Sequence, residues 1–243
     1  MERLPPAPCL VVGNHSAYGI IEIFVMLSVW TRRFATGRPV VGLSHDVGLK
    51  RPLRWGVLRI GGVRASPMAA VEHLRRGYDV LVFPGGDVDA LRPFSARYEV
   101  HWGGRSGFIR IAAEAGAPIV PLATCGSHAQ FTLLPGGPWI ARKLGLNRYR
   151  IKTWPLPLGS LALLGSILGW ALGPLSAWWI VGGALLALVP NPTRMQLKFL
   201  PAVDSRQLLA WCSDDELAAA EEIRRQIEAE VRAMARQRRT AWG

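Results

Sequence analysis

The chain contains 243 residues, half of them hydrophobic, and its 29 basic against 17 acidic side chains give a formal net charge of +12. That length fits one domain with a sizeable core, and the charge favours an anionic partner: nucleic acid, an anionic membrane surface or a phosphate-bearing substrate, of which the apolar content favours the membrane. The cysteines Cys9, Cys125 and Cys212 are scattered and lack CxxC spacing, which argues against a disulfide framework or a zinc site and indicates a reducing, cytosolic setting.

Strands and helices alternate along the first half of the chain. In order, the apolar patterning predicts a strand at 8–13, a helix at 20–31, strands at 40–43 and 57–63, a helix at 66–76, a strand at 79–83, a helix at 106–115 and a strand at 118–123. Strands that are apolar on both faces indicate an α/β fold, with a largely parallel central sheet flanked by helices. Ligands of such sheets collect at the carboxyl ends of the strands, where His15, Arg64 and the loop Pro84-Gly85-Gly86 are predicted to lie.

A long uncharged segment follows, from Thr153 to Pro192. Pro174 divides it into two apolar halves, 161–172 and 175–189, each shorter than the roughly 20 residues that a membrane-spanning helix requires. We therefore expect residues 153–193 to form an apolar, membrane-interacting helical hairpin that lies in the interface or re-enters one leaflet. The alternative is a pair of core helices buried in the domain.

The C-terminal part is predicted to contain a strand at 193–199 and then one long helix, 213–239. Its start is the sequence Ser213-Asp214-Asp215-Glu216, which is typical of a capping box. The helix combines an apolar stripe with many arginines, so it is either a solvated basic face or a basic amphipathic helix that docks on a membrane. We expect residues 1–243 to form a single domain that includes both the apolar insertion and this helix.

One isolated acid stands out near the beginning of the chain. Glu22 is the only charged residue between His15 and Arg32, in a sequence that otherwise resembles a buried helix. Burying an unpaired carboxylate costs several kcal/mol, roughly 2 to 7 even for a neutral polar group, so a partner is expected, and His15 is the nearest candidate. A histidine in the turn after a strand, with an acid in the first turn of the next helix, provides a general base and a group that orients it.

Four short blocks occur in order: Gly13-Asn14-His15-Ser16, Gly61-Gly62-Val63-Arg64, Phe83-Pro84-Gly85-Gly86 and Ala117-Pro118-Ile119-Val120-Pro121. Together they resemble the glycerolipid acyltransferase family of the lysophosphatidic acid acyltransferase type, whose members share a His-x4-Asp motif and three further blocks. The Phe-Pro-Gly-Gly form, followed by Arg92-Pro93 and Gly104-Arg105-Ser106-Gly107-Phe108, is closer to a branch with diacylglycerol-acyltransferase-like and plastid ester-synthase-like members. The resemblance covers roughly residues 8–135 and the strand near 195, and implies a glycerol-3-phosphate acyltransferase-like fold.

The sequence departs from the family pattern at two positions. Ile20 stands where the family has its aspartate, and the first acid, Glu22, comes two residues later. A turn longer by two residues would let Glu22 reach back to His15, because helical side chains lean toward the N-terminus. Gly86 stands where many members have glutamate, which removes an acceptor for substrate hydroxyl groups.

The resemblance implies a membrane-associated O-acyltransferase that moves a fatty acyl group from acyl-CoA or acyl carrier protein to a lysophospholipid or related hydroxyl. His15 would be the general base and Glu22 its orienting acid, and backbone N–H groups of Gly85 and Gly86 would stabilise the oxyanion. Arg64 resembles the arginine that holds the acceptor phosphate. Asn14 and Arg92 are further candidate substrate contacts, although Arg92 could instead order its own loop. No metal and no cofactor is expected beyond the thioester co-substrate.

Two other functions stay open at this point: a non-catalytic lipid-binding relative of the same fold, and an acyltransferase for neutral alcohols such as diacylglycerol. A serine hydrolase is disfavoured because Phe108 replaces the second glycine of Gly-x-Ser-x-Gly. Nucleic-acid binding would leave the apolar segment unexplained. We expect anionic membrane lipids as partners and a location on the cytoplasmic face of a membrane, in a bacterium the inner one.

Overall fold

The structure is a computed structural model, and it describes the chain except for residues 1–3, 7, 17–19, 35–36, 45, 47–48, 52–53, 150, 152–153, 174–175, 177, 189–192 and 241–243. Its centre is a six-stranded sheet in the order β3-β2-β4-β1-β5-β8. The strands are β1 (Leu10–Gly13), β2 (Val40–Ser44), β3 (Gly62–Arg64), β4 (Asp79–Val82), β5 (Ile119–Cys125) and β8 (Gln196–Phe199). The first five are parallel, and β8 runs antiparallel to β5.

Helices connect these strands and continue to the C-terminus. They are α1 (Ile20–Phe34), α2 (Arg54–Arg59), α3 (Pro67–Arg75), α4 (Gly86–Ala90), α5 (Gly107–Ala115), α6 (Pro138–Lys143), α7 (Leu158–Ala171), α8 (Trp178–Leu188), α9 (Ser205–Trp211) and α10 (Glu216–Thr240). A separate antiparallel pair, β6 (Leu133–Gly137) and β7 (Trp154–Pro157), lies in the long excursion between β5 and β8.

Successive residues of β1 point to opposite faces of the sheet, and both faces are buried. Leu10 and Val12 pack with the helices α3, α5 and α10. Cys9 and Val11 pack with Met26 and Trp30 of α1. The predicted α/β fold, with a largely parallel sheet covered by helices on both sides, is therefore confirmed.

Two predicted element boundaries are wrong. The expected strand at 57–63 is instead α2 followed by β3, because only Gly62–Arg64 pair with β2. The last helix does not begin at Ser213: Ser213 and Asp214 have φ of 54° and 62°, in the left-handed region. Asp215 is the cap, since its Oδ1 accepts hydrogen bonds from the backbone N–H groups of Leu217 and Ala218 at 2.8 and 3.2 Å.

The apolar stripe of α10 belongs to the core. Ile223, Ile227 and Val231 are fully buried against the sheet, whereas Leu217 is 53% exposed. Many arginines on the other faces of α10 are paired with glutamates of the same helix, as in the Arg232–Glu228 pair. Membrane docking through the apolar stripe is therefore excluded, and the stripe instead closes one side of the domain.

The helices α7 and α8 pack against each other as a hairpin, and Gly183 of α8 lies so close to the backbone of Leu163 that a Cβ there would be 2.7 Å from its Cα. The hairpin is not a pair of core helices, because no side chain of α7 is buried and residues such as Leu168 and Trp178 are 53% and 80% exposed. Parts of the predicted segment, including residues 174–175 and 189–192, lie outside the described residues. Across the part of the chain that the structure describes, no helix is both long enough and apolar enough to cross a membrane.

Candidate active site

The site lies where the carboxyl ends of three neighbouring strands meet. β1 is flanked by β4 and β5, so the residues that follow these strands are brought to one edge of the sheet. His15 follows β1, Phe83 follows β4 and Ser127 follows β5. This is the edge at which the sequence predicts ligand binding.

The predicted contact between His15 and Glu22 is present. The distance from His15 Nδ1 to Glu22 Oε2 is 2.9 Å, and Glu22 lies in the first turn of α1, where the helix dipole favours an ionised carboxylate. The His15 side chain is 13% exposed and that of Glu22 1%. Residues 17–19 lie outside the described residues, and Glu22 faces the histidine from two residues beyond the family position.

Three further groups donate hydrogen bonds to the Glu22 carboxylate. Oε2 also accepts from the Ser16 backbone N–H at 3.1 Å, and Oε1 accepts from Ser16 Oγ at 2.7 Å and from Ser127 Oγ. The two serine oxygens are 2.5 Å apart. Burial by itself would raise the pKa of Glu22, but the hydrogen bonds from His15, Ser127 and Ser16 outweigh it and hold the pKa below its usual value. The carboxylate is therefore ionised at neutral pH despite its burial.

An ionised Glu22 determines which nitrogen of His15 carries the proton. A carboxylate only accepts hydrogen bonds, so Nδ1 is the protonated nitrogen and Nε2 presents a lone pair. Within the described part of the chain, Nε2 has no hydrogen-bond partner. The imidazole is thus arranged to accept a proton at Nε2 while Glu22 stabilises the cation that forms.

The histidine is also fixed through its backbone and its ring. Its N–H donates to Asp89 Oδ2 at 2.6 Å, and its carbonyl accepts from Arg92 Nη1. The ring stacks on Phe83, with centroids 4.2 Å apart and planes 9° apart. Gly13 leaves space for the Phe83 ring, because a Cβ on Gly13 would lie 2.9 Å from Phe83 Cε1. The imidazole plane is therefore set before any substrate binds.

Asp89 and Arg92 form a buried pair that links the Pro84 loop to His15. Asp89 Oδ1 accepts from Arg92 Nη1 at 2.7 Å and from the His101 N–H at 2.8 Å. Burial raises the pKa of the Asp89 carboxyl, although Arg92 and the N–H groups of His101 and His15 act in the opposite direction. Arg92 also donates to the carbonyls of Ala96 and Arg97 and is 6% exposed. Its guanidinium is taken up by these protein acceptors, which favours loop ordering over the predicted substrate contact.

The two glycines after Pro84 differ in what their N–H groups can do. The Gly86 N–H donates to the carbonyl of Phe83 at 3.1 Å and is occupied by this turn. The Gly85 N–H has no acceptor among the residues that the structure describes. A Cβ on Gly85 would lie 2.5 Å from the His101 carbonyl oxygen, so only glycine fits. Of the two predicted oxyanion donors, the geometry favours Gly85.

Asn14 and Arg64 are placed differently from the prediction. The Asn14 side chain is buried and exchanges hydrogen bonds with the backbone of Thr124, Nδ2 to O at 3.0 Å and Oδ1 from N–H at 2.8 Å, which joins the ends of β1 and β5. Arg64 is exposed, pairs with Asp46 at 3.0 Å and ends β3, three strands from β1. At the usual strand spacing this is about 14 Å from the histidine strand. Neither side chain points to the His15 imidazole in this conformation.

The sequence did not identify Ser127 as part of the site. His128, the next residue of this loop, is buried edge-on against Tyr98 with ring centroids 5.1 Å apart. Burial and the nearby arginines Arg92, Arg97 and Arg238 lower the pKa of His128 to about 3, so it is neutral at physiological pH. The available signal was Gly126-Ser127 directly after a buried strand. Among the described residues, no group of three or more histidines, cysteines or acids could hold a metal ion.

The chain is similar in sequence to several known proteins. A sequence model of the acyltransferase family matches residues 1–124. The chain is 31% identical over 156 residues to a Gallus gallus protein named "DGAT1/2-independent enzyme synthesizing storage lipids", covering 64% of this chain and 45% of that protein. It is 32% identical over 136 residues to phytyl ester synthase 2, chloroplastic, of Arabidopsis thaliana, covering 52% of this chain and 19% of that protein. An uncharacterized protein of Mycobacterium bovis is 27% identical over 225 residues, covering 91% of this chain and 55% of that protein.

The chain thus spans less than half the length of the first two of these relatives. Among solved structures, the 1-acyl-sn-glycerophosphate (LPA) acyltransferase PlsC from Thermotoga maritima has a similar fold, with a TM-score of 0.51 and 17% identity over 94% of this chain and 68% of that one. Because the family model matches half of the chain, including the whole of the His15 and Pro84 blocks, the chain belongs to the acyltransferase family.

Proposed function

We propose that the protein is a membrane-associated O-acyltransferase that moves a fatty acyl group from a thioester, acyl-CoA or acyl carrier protein, to a hydroxyl of a lysophospholipid or related glycerolipid. The observation that carries this proposal is the pair of His15 and Glu22, 2.9 Å apart at the carboxyl edge of the sheet. Relatives named for storage lipids and a fold neighbour named as an LPA acyltransferase support a lipid substrate.

In the reaction, the acceptor hydroxyl donates to His15 Nε2 and loses its proton there as its oxygen attacks the thioester carbonyl carbon. Glu22 stabilises the resulting imidazolium from the Nδ1 side. When the tetrahedral intermediate collapses, the C–S bond breaks, and the thiolate takes the proton back from Nε2. The products are an ester and a free thiol, and no covalent bond to the protein is formed.

The Gly85 N–H is the oxyanion donor in this scheme. Donors that face a developing negative charge typically contribute about 3 to 4 kcal/mol each. Gly85 lies in the loop that Asp89 and Arg92 tie to the His15 backbone, so the base and the donor are held by one hydrogen-bonded unit. This connection explains why the Phe83-Pro84-Gly85-Gly86 block and His15 occur together in one site.

A neutral-alcohol acceptor is the second candidate. Arg64, the residue expected to hold an acceptor phosphate, is 73% exposed and paired with Asp46, three strands from His15. The relatives' names include storage lipids and a phytyl ester. These two observations support an uncharged alcohol such as diacylglycerol as the alternative acceptor.

The membrane contact is assigned to the α7/α8 hairpin. The excursion that contains it leaves the sheet after Cys125 and returns at Gln196, and these two residues are paired at the carboxyl edge. An exposed apolar hairpin attached there would lie in the lipid interface with the active-site edge toward the acyl chains. We place the protein on the cytoplasmic face of its membrane, in a bacterium the inner membrane, since its free cysteines suit a reducing compartment.

The test is thiol release from acyl-CoA or acyl carrier protein with lysophosphatidic acid and diacylglycerol as alternative acceptors, comparing wild type with His15→Ala. We expect a loss of at least a hundredfold in His15→Ala. The matched control is His101→Ala, because the His101 side chain is 42% exposed and is not one of the groups that contact the imidazole. Inactive wild type over a broad acceptor panel would instead favour a non-catalytic lipid-binding relative.

A further inference from the structure

Helix α2 presents a surface that the core does not use. None of its six residues is buried, and Trp55 and Leu58 are 67% and 49% exposed. The helix covers the edge strand β3 through Val57, whose Cγ1 would lie 2.4 Å from a Cβ on Gly62. Large apolar side chains exposed on such a short, outward-facing element indicate an interaction surface.

The same segment holds much of the chain's positive charge. Residues 46–64 contain five basic residues, Lys50, Arg51, Arg54, Arg59 and Arg64, and one acid, a net charge of +4 out of the total of +12. The Arg59 guanidinium carbon lies 4.1 Å from the centre of the Trp55 ring. We name Lys50, Arg51, Arg54, Trp55, Leu58, Arg59 and Arg64 the edge surface.

We propose that the edge surface docks on an anionic lipid surface and forms a second membrane contact of this protein. Trp55 and Leu58 would enter the headgroup region, and the basic side chains around them would contact lipid phosphates. The exposed tryptophan and leucine favour a lipid surface over a nucleic acid or an acidic protein. The proposal rests on the membrane association proposed above, but not on the acyl-transfer chemistry.

A second contact at this place would fix how the domain sits on the membrane. The edge surface covers β3 at one end of the sheet, and the excursion with the α7/α8 hairpin is attached to β5 and β8 at the other end. The five strand spacings between β3 and β8 amount to about 24 Å. Two contacts this far apart hold both ends of the sheet at the lipid surface and so restrict how the domain can tilt along the line that joins them.

The experiment is co-sedimentation of the full-length protein with phosphatidylcholine vesicles, with and without phosphatidylglycerol, at low and high salt. Binding to neutral vesicles measures the contribution of the hairpin. The additional binding to anionic vesicles measures the contribution of the edge surface. The double variant Arg54→Gln/Arg59→Gln is expected to lower partitioning on anionic vesicles about 25-fold, at about fivefold for each basic residue near the membrane. High salt should remove the same gain.

The matched control is Arg206→Gln/Arg225→Gln, which removes two exposed arginines from α9 and α10. Trp55→Ala should weaken binding to anionic vesicles, whereas Trp211→Ala, at a residue 72% exposed on α9, should not. Thermal unfolding should be unchanged in all four, since no α2 side chain is buried and Arg206, Arg225 and Trp211 are exposed. Equal binding of the two double arginine variants to anionic vesicles would overturn the proposal. So would a loss in Arg54→Gln/Arg59→Gln without one in Trp55→Ala, because a purely ionic surface would fit a soluble polyanion.

Discussion

Replacing Glu22 by glutamine tests the charge of the orienting acid with little change of shape. The carboxylate accepts four hydrogen bonds, two at each oxygen. In the variant, the amide oxygen can take the place of Oε2 and accept from His15 Nδ1 and the Ser16 N–H. The amide NH2 then faces the hydroxyl groups of Ser16 and Ser127, which can rotate to accept. The imidazole therefore keeps its tautomer, but the negative charge beside it is lost.

The magnitude follows from the short distance. Two unit charges about 4 Å apart attract by about 4 kcal/mol at an effective dielectric constant of about 20. The imidazolium that forms in the transition state loses this stabilisation, so kcat should fall about a thousandfold while KM changes little. Because the pKa of Glu22 is lowered in the folded state, its charge contributes stability above the unfolded pKa of about 4.3. That contribution is lost as the pH falls through the lower folded pKa, and the variant should lack this pH dependence.

The assay is thiol release at saturating thioester together with urea unfolding of each variant. Glu72→Gln is the matched control, since this glutamate is 52% exposed and pairs with Arg76 on the surface of α3. Glu22→Ala should lose both activity and about 2 to 4 kcal/mol of stability, because it leaves a cavity and buried donors without acceptors. A folded Glu22→Gln protein with kcat within threefold of wild type, on the order of 0.7 kcal/mol, would refute the orienting role.

Three further substitutions test the parts around this pair. Ser127→Ala should raise the pKa of Glu22 and lower kcat about tenfold, by the loss of one hydrogen bond to a charged group, with Ser127→Thr restoring activity. Gly85→Ala should lose about 1 to 3 kcal/mol in urea unfolding, since its Cβ meets the His101 carbonyl, whereas Gly107→Ala, with open space around it, should not. The pKa of His128 is lowered to about 3 in the folded protein, so the unfolded chain binds more protons than the folded one below about pH 6.5. The free energy of unfolding of wild type should therefore fall by about 2 kcal/mol between pH 8 and pH 5. In His128→Gln, this decrease in the free energy of unfolding should be smaller by the same amount. An unchanged dependence of stability on pH in the variant would contradict the burial argument.

Strongly patterned segments could be predicted from the sequence, and weakly patterned ones could not. β1, β4 and β5 are predominantly apolar segments, and each lies close to its predicted position. The segment of α2 and the residue that follows it contain Val57, Leu58 and Ile60 beside glycines, a composition that also suits a strand. The exposure of this segment depends on where β3 pairs. The sequence does not predict β6, because Pro135 and two glycines obscure any alternation.

The site was partly predictable for a similar reason. His15 and Glu22 are seven residues apart, so a local argument about one unpaired charge could connect them. Ser127 is 105 residues from Glu22, and its contact exists only because β5 pairs with β1. Asn14 and Arg92 have the residue types of substrate ligands, but their roles depend on burial and on which backbone groups end up nearby. Such distant contacts are set by the sheet order, which one sequence does not specify.

The central claim is that His15 removes the proton from the acceptor hydroxyl while Glu22 holds its other nitrogen. The most direct measurement is the pH dependence of kcat/KM for thiol release in wild type, Glu22→Gln and His15→Gln. The account predicts that kcat/KM falls about a thousandfold in Glu22→Gln, where the imidazolium loses its carboxylate partner. It also predicts that kcat/KM falls at least a hundredfold in His15→Gln, and that the acid limb of the wild-type profile is absent from this variant. An acid limb that is the same in all three proteins, with turnover retained in His15→Gln, would contradict it.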